Sequence, residues 1–163
     1  MTYEEDYCGC ERIHRVEYTS SSGGSRGGHP PSSFNNDYTF GLSQEALILD
    51  KIRKFFNEDI KHTADPYCRW DFESDETIYE LKSRNVYSNT YPDVMIGYNK
   101  VQPVHFPQVF LFNFIDGLYY IRYSDLVFSH FELKLFKREG RVDYNDKPQV
   151  VCHIPRSFLT LVE

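Results

Sequence analysis

The chain has 163 residues, 40% of them hydrophobic and 17% aromatic, with 13 Tyr and 13 Phe, which is ample material for one folded domain plus an additional segment. Its net charge of −6 excludes a general electrostatic attraction to nucleic acid or acidic membranes, so binding a polyanion would need a local basic patch or a bridging cation. No apolar run reaches the ~18 residues of a membrane-spanning helix, and the opening "MTYEEDYCGC" lacks the basic-then-apolar layout of a secretory signal. Four cysteines (Cys8, Cys10, Cys68, Cys152) without such a signal suggest reduced thiols, so the expectation is an intracellular protein of cytoplasm or nucleus, away from membranes.

Residues 1–40 differ from the rest. The stretch "TSSSGGSRGGHPPSSFNND" is rich in Ser, Gly and Pro and has too little apolar surface to offset the entropy of ordering it, so it reads as a flexible arm. Residues 41–163 read as the folded domain. Within them "LSQEALILDKIRKFFNEDI", residues 42–60, predicts a helix capped by Ser43, with Glu45 in its first turn. Leu49, Ile52 and Phe56 form an apolar stripe, broadened by Leu47, Ile48 and Phe55. Glu45, four residues before Leu49, falls on the edge of that stripe.

Strand signals follow. "YCRWDFES" and "TIYELKS" flank a polar turn, and "VFLFNF" and "LYYIRY" flank Ile115-Asp116-Gly117, where Asp-Gly is a hairpin signal. The second hairpin is apolar on both faces, as central strands covered on both sides should be. Its Phe110, Phe112, Phe114, Tyr119 and Ile121 therefore read as core rather than as a platform for stacking bases. Between the hairpins, residues 84–101 read as a loop with a short helix near Asp93 to Tyr98. "FELKLFKRE" and "QVVCHIP" read as two further strands. This order predicts an α/β domain: a mixed central β-sheet with an N-terminal helix packed on it.

The first hairpin carries the candidate chemistry. A two-residue loop at Ser74-Asp75, or a four-residue loop over 73–76, places Arg69, Asp71, Ile78, Glu80 and Lys82 on one face and Trp70, Phe72, Thr77, Tyr79 and Leu81 on the other. A three-residue loop breaks the constellation. With the even loop, Asp71 and Glu80 are diagonal neighbours about 7–8 Å apart at the backbone, and their carboxylates converge on one cation. Mg²⁺ suits such hard oxygens, and Lys82 on the same face is placed to orient a water or to stabilise charge on a phosphate. The bland alternative is an amphipathic hairpin whose wet side carries exposed ion pairs that contribute little.

Other clusters are weaker. Cys8, Cys10 and His14 lack the spacing and the fourth ligand of a structural zinc site. Cys68 and Cys152 read as core thiols on strands, His153 as a strand residue, and the glycines of "SRGGHPP" as flexibility rather than a phosphate loop.

Asp71, eight residues, then Glu80-Leu81-Lys82 resembles the signature of the PD-(D/E)xK nuclease superfamily, the restriction-endonuclease-like fold, although Trp70 stands where the family name has proline. The helix before the hairpin, with Glu45 on it, is similar in position to the family's, over residues 42–123. "YELKSRN" followed by "YPDVMIGYNKV" also resembles small members from phages and large DNA viruses. The resemblance implies hydrolysis of phosphodiester bonds in nucleic acid, DNA ahead of RNA, with Mg²⁺ (or Mn²⁺) as cofactor. It implies a metal held by Asp71, Glu80 and the Leu81 carbonyl, with Glu45 through water or a second ion, and Lys82 assisting. Arg69, Arg84, Lys100 and Tyr98 would then meet substrate. A homodimer accords with the family. The competing expectation is a non-catalytic structural or interaction protein that keeps this fold and docks to a larger assembly through its arm.

Overall fold

In the computed structural model, residues 33–65, 67–101, 106–137 and 147–163 are described, without the side chains of 33–42. Most of the segment read as an arm, and with it Cys8, Cys10 and His14, lies outside the described residues. Helix α1 spans Ser33–Phe56. It therefore starts earlier than expected, and Ser43 and Glu45 sit within it rather than at its first turn. It ends in Arg53 and Lys54, cations that suit the negative end of the helix dipole. Asn57 then takes a left-handed backbone with φ 54°, and the predicted extension to residue 60 is cut short there.

The chain continues through β1 (Lys61–His62), β2 (Phe72–Glu73), β3 (Ile78–Ser83), β4 (Asp93–Gly97), a 3₁₀ turn (Tyr98–Lys100), β5 (Gln108–Phe114) and β6 (Gly117–Arg122). A short helix α2 (Asp125–Phe128), β7 (Glu132–Phe136), β8 (Gln149–Pro155), a second 3₁₀ turn (Arg156–Phe158) and β9 (Thr160–Leu161) complete it. The architecture is mixed α/β, with much strand and little helix. Two sheets replace the single one expected: six strands in the order β1-β2-β3-β5-β6-β9, and three in the order β4-β8-β7. Only β3 and β5 pair in parallel; the other pairs are antiparallel. A parallel pair requires a crossover, and here it runs out through β4 and the 3₁₀ turn rather than through a helix.

Both faces of the larger sheet are covered, which explains its unbroken apolar runs. On one face Ile48 and Ile52 of α1 pack with Phe72, Tyr79, Leu81, Val109 and Leu111. On the other, Phe110, Phe112 and Ile121 pack with Ile96, Cys152 and Ile154 of the smaller sheet and with Phe128. Leu47 is exposed and takes no part in the helix's buried stripe. The short helix expected near Asp93 is strand β4, because Val94, Met95 and Ile96 pair with Ile154, His153 and Cys152, and Ile96 fills the inter-sheet core. Cys68 lies before β2 rather than on a strand, while Cys152 is a buried core thiol whose pKa burial raises to about 11.

The first hairpin is tied to the end of α1. The Tyr79 hydroxyl donates to Glu58 Oε2 at 2.8 Å and Ser74 Oγ donates to the same oxygen at 2.6 Å. Asn57 sets the chain's exit toward Glu58, and its left-handed backbone disfavours branched side chains. Asn57→Val is expected to lower stability by about 1–2 kcal/mol and Asn57→Gly to leave it unchanged or higher, measured by urea denaturation.

Candidate functional site

The register of the first hairpin decides whether the acids meet. Phe72 pairs with Tyr79 and Glu73 with Ile78, leaving a four-residue loop from Ser74 to Thr77. The loop is even, as the constellation requires, but the pairing is shifted by two residues from the expected one, so Asp71 falls beside Glu80 rather than diagonally from it. Beyond Phe72 the backbone ladder gives way. Asp71 N–H donates to the Tyr79 carbonyl at 3.0 Å, and its own Oδ2 accepts the Leu81 N–H at 2.7 Å. That second bond fixes the carboxylate against the backbone between Glu80 and Lys82.

Glu80 is 1% exposed. Its β5 partner is Phe110, and that of Lys82 is Phe112, so both side chains point to the sheet face opposite α1 and not, as expected, into a groove beneath that helix. A buried carboxylate needs compensation, and two ammonium groups provide it. Lys82 Nζ lies 2.8 Å from Oε1 and Lys100 Nζ lies 2.9 Å from Oε2. Lys100 also donates to the Arg69 carbonyl, while the Arg69 guanidinium donates to the Asn99 carbonyl. Gln108 Nε2 donates to the Lys100 carbonyl at 2.8 Å. The 3₁₀ turn and the segment before β2 are thus clamped together around Glu80. The wet hairpin face of the bland alternative is not what forms.

Glu45 approaches from α1, with its Oε2 2.7 Å from His62 Nε2 on β1. Burial, first, and the neighbouring Glu80 charge, second, push the Asp71 carboxyl up to about 6, against the relief given by the Leu81 N–H; Glu45 adds to the rise and Lys82 opposes it. Three carboxylates (Glu45, Asp71, Glu80) therefore share a region with two ammonium groups (Lys82, Lys100).

The sequence-predicted residues divide cleanly. Asp71, Glu80, Lys82 and Glu45 are brought into one electrostatic neighbourhood, together with the backbone of Leu81, whose side chain is core. Lys100 joins them as the second partner of Glu80, whereas Arg69 acts on the Asn99 carbonyl. Arg84 and Tyr98 are exposed. His62 was not foreseen, because a lone histidine between a helix and a hairpin carries no sequence signal.

The donor oxygens are hard, the type that Mg²⁺ takes. Among the described residues no group of three or more His, Cys, Asp or Glu forms a ready ligand cage, and both oxygens of Glu80 already face ammonium groups. An ion carried by Asp71 and Glu80 would have to share Glu80 with the two lysines and complete its shell with water. Comparison with family models, curated proteins and solved structures finds no match. Among the described residues no helix is long and apolar enough to cross a membrane.

The shift at Asp71 has a sign that can be tested. Its folded pKa of about 6 lies above the ordinary aspartate value, so the folded state binds more protons between pH 4 and 6, and stability falls as pH rises through that window. Asp71→Asn cannot ionise. In the absence of divalent metal it is expected to match the wild type near pH 4 and exceed it by on the order of 2–3 kcal/mol at pH 8, read from denaturation curves at both pH values.

Proposed function

We propose that the chain is a metal-dependent nuclease that hydrolyses phosphodiester bonds in DNA, built on a restriction-endonuclease-like core. The observation that carries this reading is the Asp71 carboxylate locked onto the Leu81 N–H beside the buried Glu80, with Lys82 on the same strand. A hairpin with only a structural task gains nothing from placing Asp71 beside Glu80 where burial penalises their charge. Further support comes from α1 preceding the hairpin and from β5 lying parallel to β3, as the PD-(D/E)xK pattern has them. The strand-and-turn crossover between β3 and β5 departs from that pattern.

In this reading Asp71, Glu80 and the Leu81 carbonyl would hold Mg²⁺ or Mn²⁺, and Glu45, coming from α1, would act through water or a second ion. The ion supplies a Lewis acid for the phosphate and lowers the pKa of a bound water. Lys82 then stabilises charge on the phosphate, and Lys100 holds Glu80 in place. The bound ion also offsets the acidic net charge locally.

One observation favours a second reading. Both oxygens of Glu80 are neutralised by lysine, as suits a non-catalytic protein that keeps the fold and docks to a larger assembly through residues 1–40. Cleavage decides between the two. Incubated with plasmid and single-stranded DNA, the protein is expected to cut in Mg²⁺ or Mn²⁺ and not in EDTA, and Lys82→Ala to lower the rate by about 10²-fold or more with its circular dichroism unchanged. No cleavage, or equal cleavage by the variant, leaves the non-catalytic reading.

A further inference from the structure

The connection from β3 to β4, residues 84–92, leaves the strand two positions beyond Lys82 and lines two adjoining cavities. One, of about 530 Å³, is walled by Arg84, Tyr87, Tyr91, Met95 and Phe114. The other, of about 580 Å³, is lined by Asn89, Thr90 and Arg156 and shares Tyr91 and Pro92 with the first. Both volumes fall in the range of sites for small organic groups.

Their position follows from the sheet. Phe110 and Phe112 pair with Glu80 and Lys82, and Phe114 is the next residue of that row on the same face. The first cavity therefore begins one pleat repeat, roughly 7 Å, beyond the Lys82 position.

The connection is held rather than loose. Ser88 donates from both N–H and Oγ to the Asp116 carboxylate, each at 2.7 Å. Arg84 N–H bonds the Asn113 carbonyl, Ile115 N–H the Val86 carbonyl and Arg156 N–H the Pro92 carbonyl, at 2.7, 3.1 and 3.0 Å. Yet Tyr87 is 57% and Tyr91 62% exposed. Two exposed tyrosines on a held backbone, in cavities that Arg84 and Arg156 also line, bring stacking faces and guanidinium groups together. The acid in the same wall, Asp93, is engaged by His153 at 3.1 Å.

We infer that this double cavity is a base-stacking subsite for single-stranded nucleic acid, in which Tyr87 and Tyr91 take successive bases and Arg84 and Arg156 the backbone phosphates. The choice of nucleic acid rests on the nuclease reading above. Every base has a π-face, so the subsite is tolerant of sequence, and it would deliver a frayed or unpaired strand to the acids around Asp71.

The test is binding without cleavage. In EDTA, the full chain is titrated into a fluorescein-labelled 12-nucleotide oligothymidylate and read by anisotropy. Tyr87→Ala and Tyr91→Ala are each expected to raise Kd about tenfold, Tyr91→Phe to stay within about twofold because the ring is retained, and Tyr67→Ala, an exposed tyrosine elsewhere, to change nothing. Three results would each overturn the inference. The first is an unchanged Kd in the Tyr87→Ala/Tyr91→Ala double variant with wild-type melting. The second is Tyr91→Phe as damaging as Tyr91→Ala. The third is equal binding of a duplex of the same length with equal sensitivity to both tyrosines. Tyrosine-dependent binding without metal-dependent cleavage would sink the nuclease reading and keep the subsite; cleavage with tyrosine-independent binding would do the reverse.

Discussion

A carboxylate buried at the centre of a sheet is the constraint around which this molecule is arranged. Glu80 lies on β3, between strands β2 and β5, and is 1% exposed. No apolar neighbour can satisfy it, so the chain brings Lys82 along the same strand and Lys100 from the 3₁₀ turn after β4. Much of the local structure serves that compensation. Lys100 reaches Glu80 because its carbonyl is held by Gln108 and its turn by Arg69, and the crossover from β3 to β5 passes through the turn that delivers it. A hydrophobic residue at 80 would remove the need for both lysines, and replacing a buried ion pair by apolar groups is often neutral or stabilising.

Asp71 stands in contrast. Its carboxylate has one backbone donor, the Leu81 N–H, while burial and the charges of Glu80 and Glu45 act against its ionised form. The two lysines that quiet Glu80 leave Asp71 only partly compensated. A group kept near neutrality in its titration yet fixed in orientation is suited to accept a proton or a cation, and perturbed carboxyls of this kind cluster at functional sites.

The acids and their spacing were legible in the sequence, whereas the parity of the hairpin loop, on which their sharing a face depends, was settled only by the pairing of Phe72 with Tyr79. The doubly covered hairpin of β5 and β6 was legible too, written in its apolar runs. Other features were not. The two-residue register shift depends on where Ser74 and Thr77 close the turn, which Glu58 helps to decide from the end of α1. Strand β4 was obscured because its partner β8 lies more than fifty residues away, and long-range pairing overrides local preference. The early start of α1 was hidden by a Ser-, Asn- and Gly-containing stretch of poor intrinsic helix propensity. The role of Lys100 also escaped notice, since a lysine on a loop reads as exposed until the fold shows what it reaches.

The most direct measurement is Mn²⁺ binding at pH 7.5, by isothermal titration calorimetry, to the wild-type chain, to Asp71→Asn and to Glu80→Gln. The account predicts saturable uptake by the wild type that is lost in both variants, because Asp71 and Glu80 are the proposed ligands. Absence of uptake by the wild type, or uptake unaltered by either substitution, would contradict it.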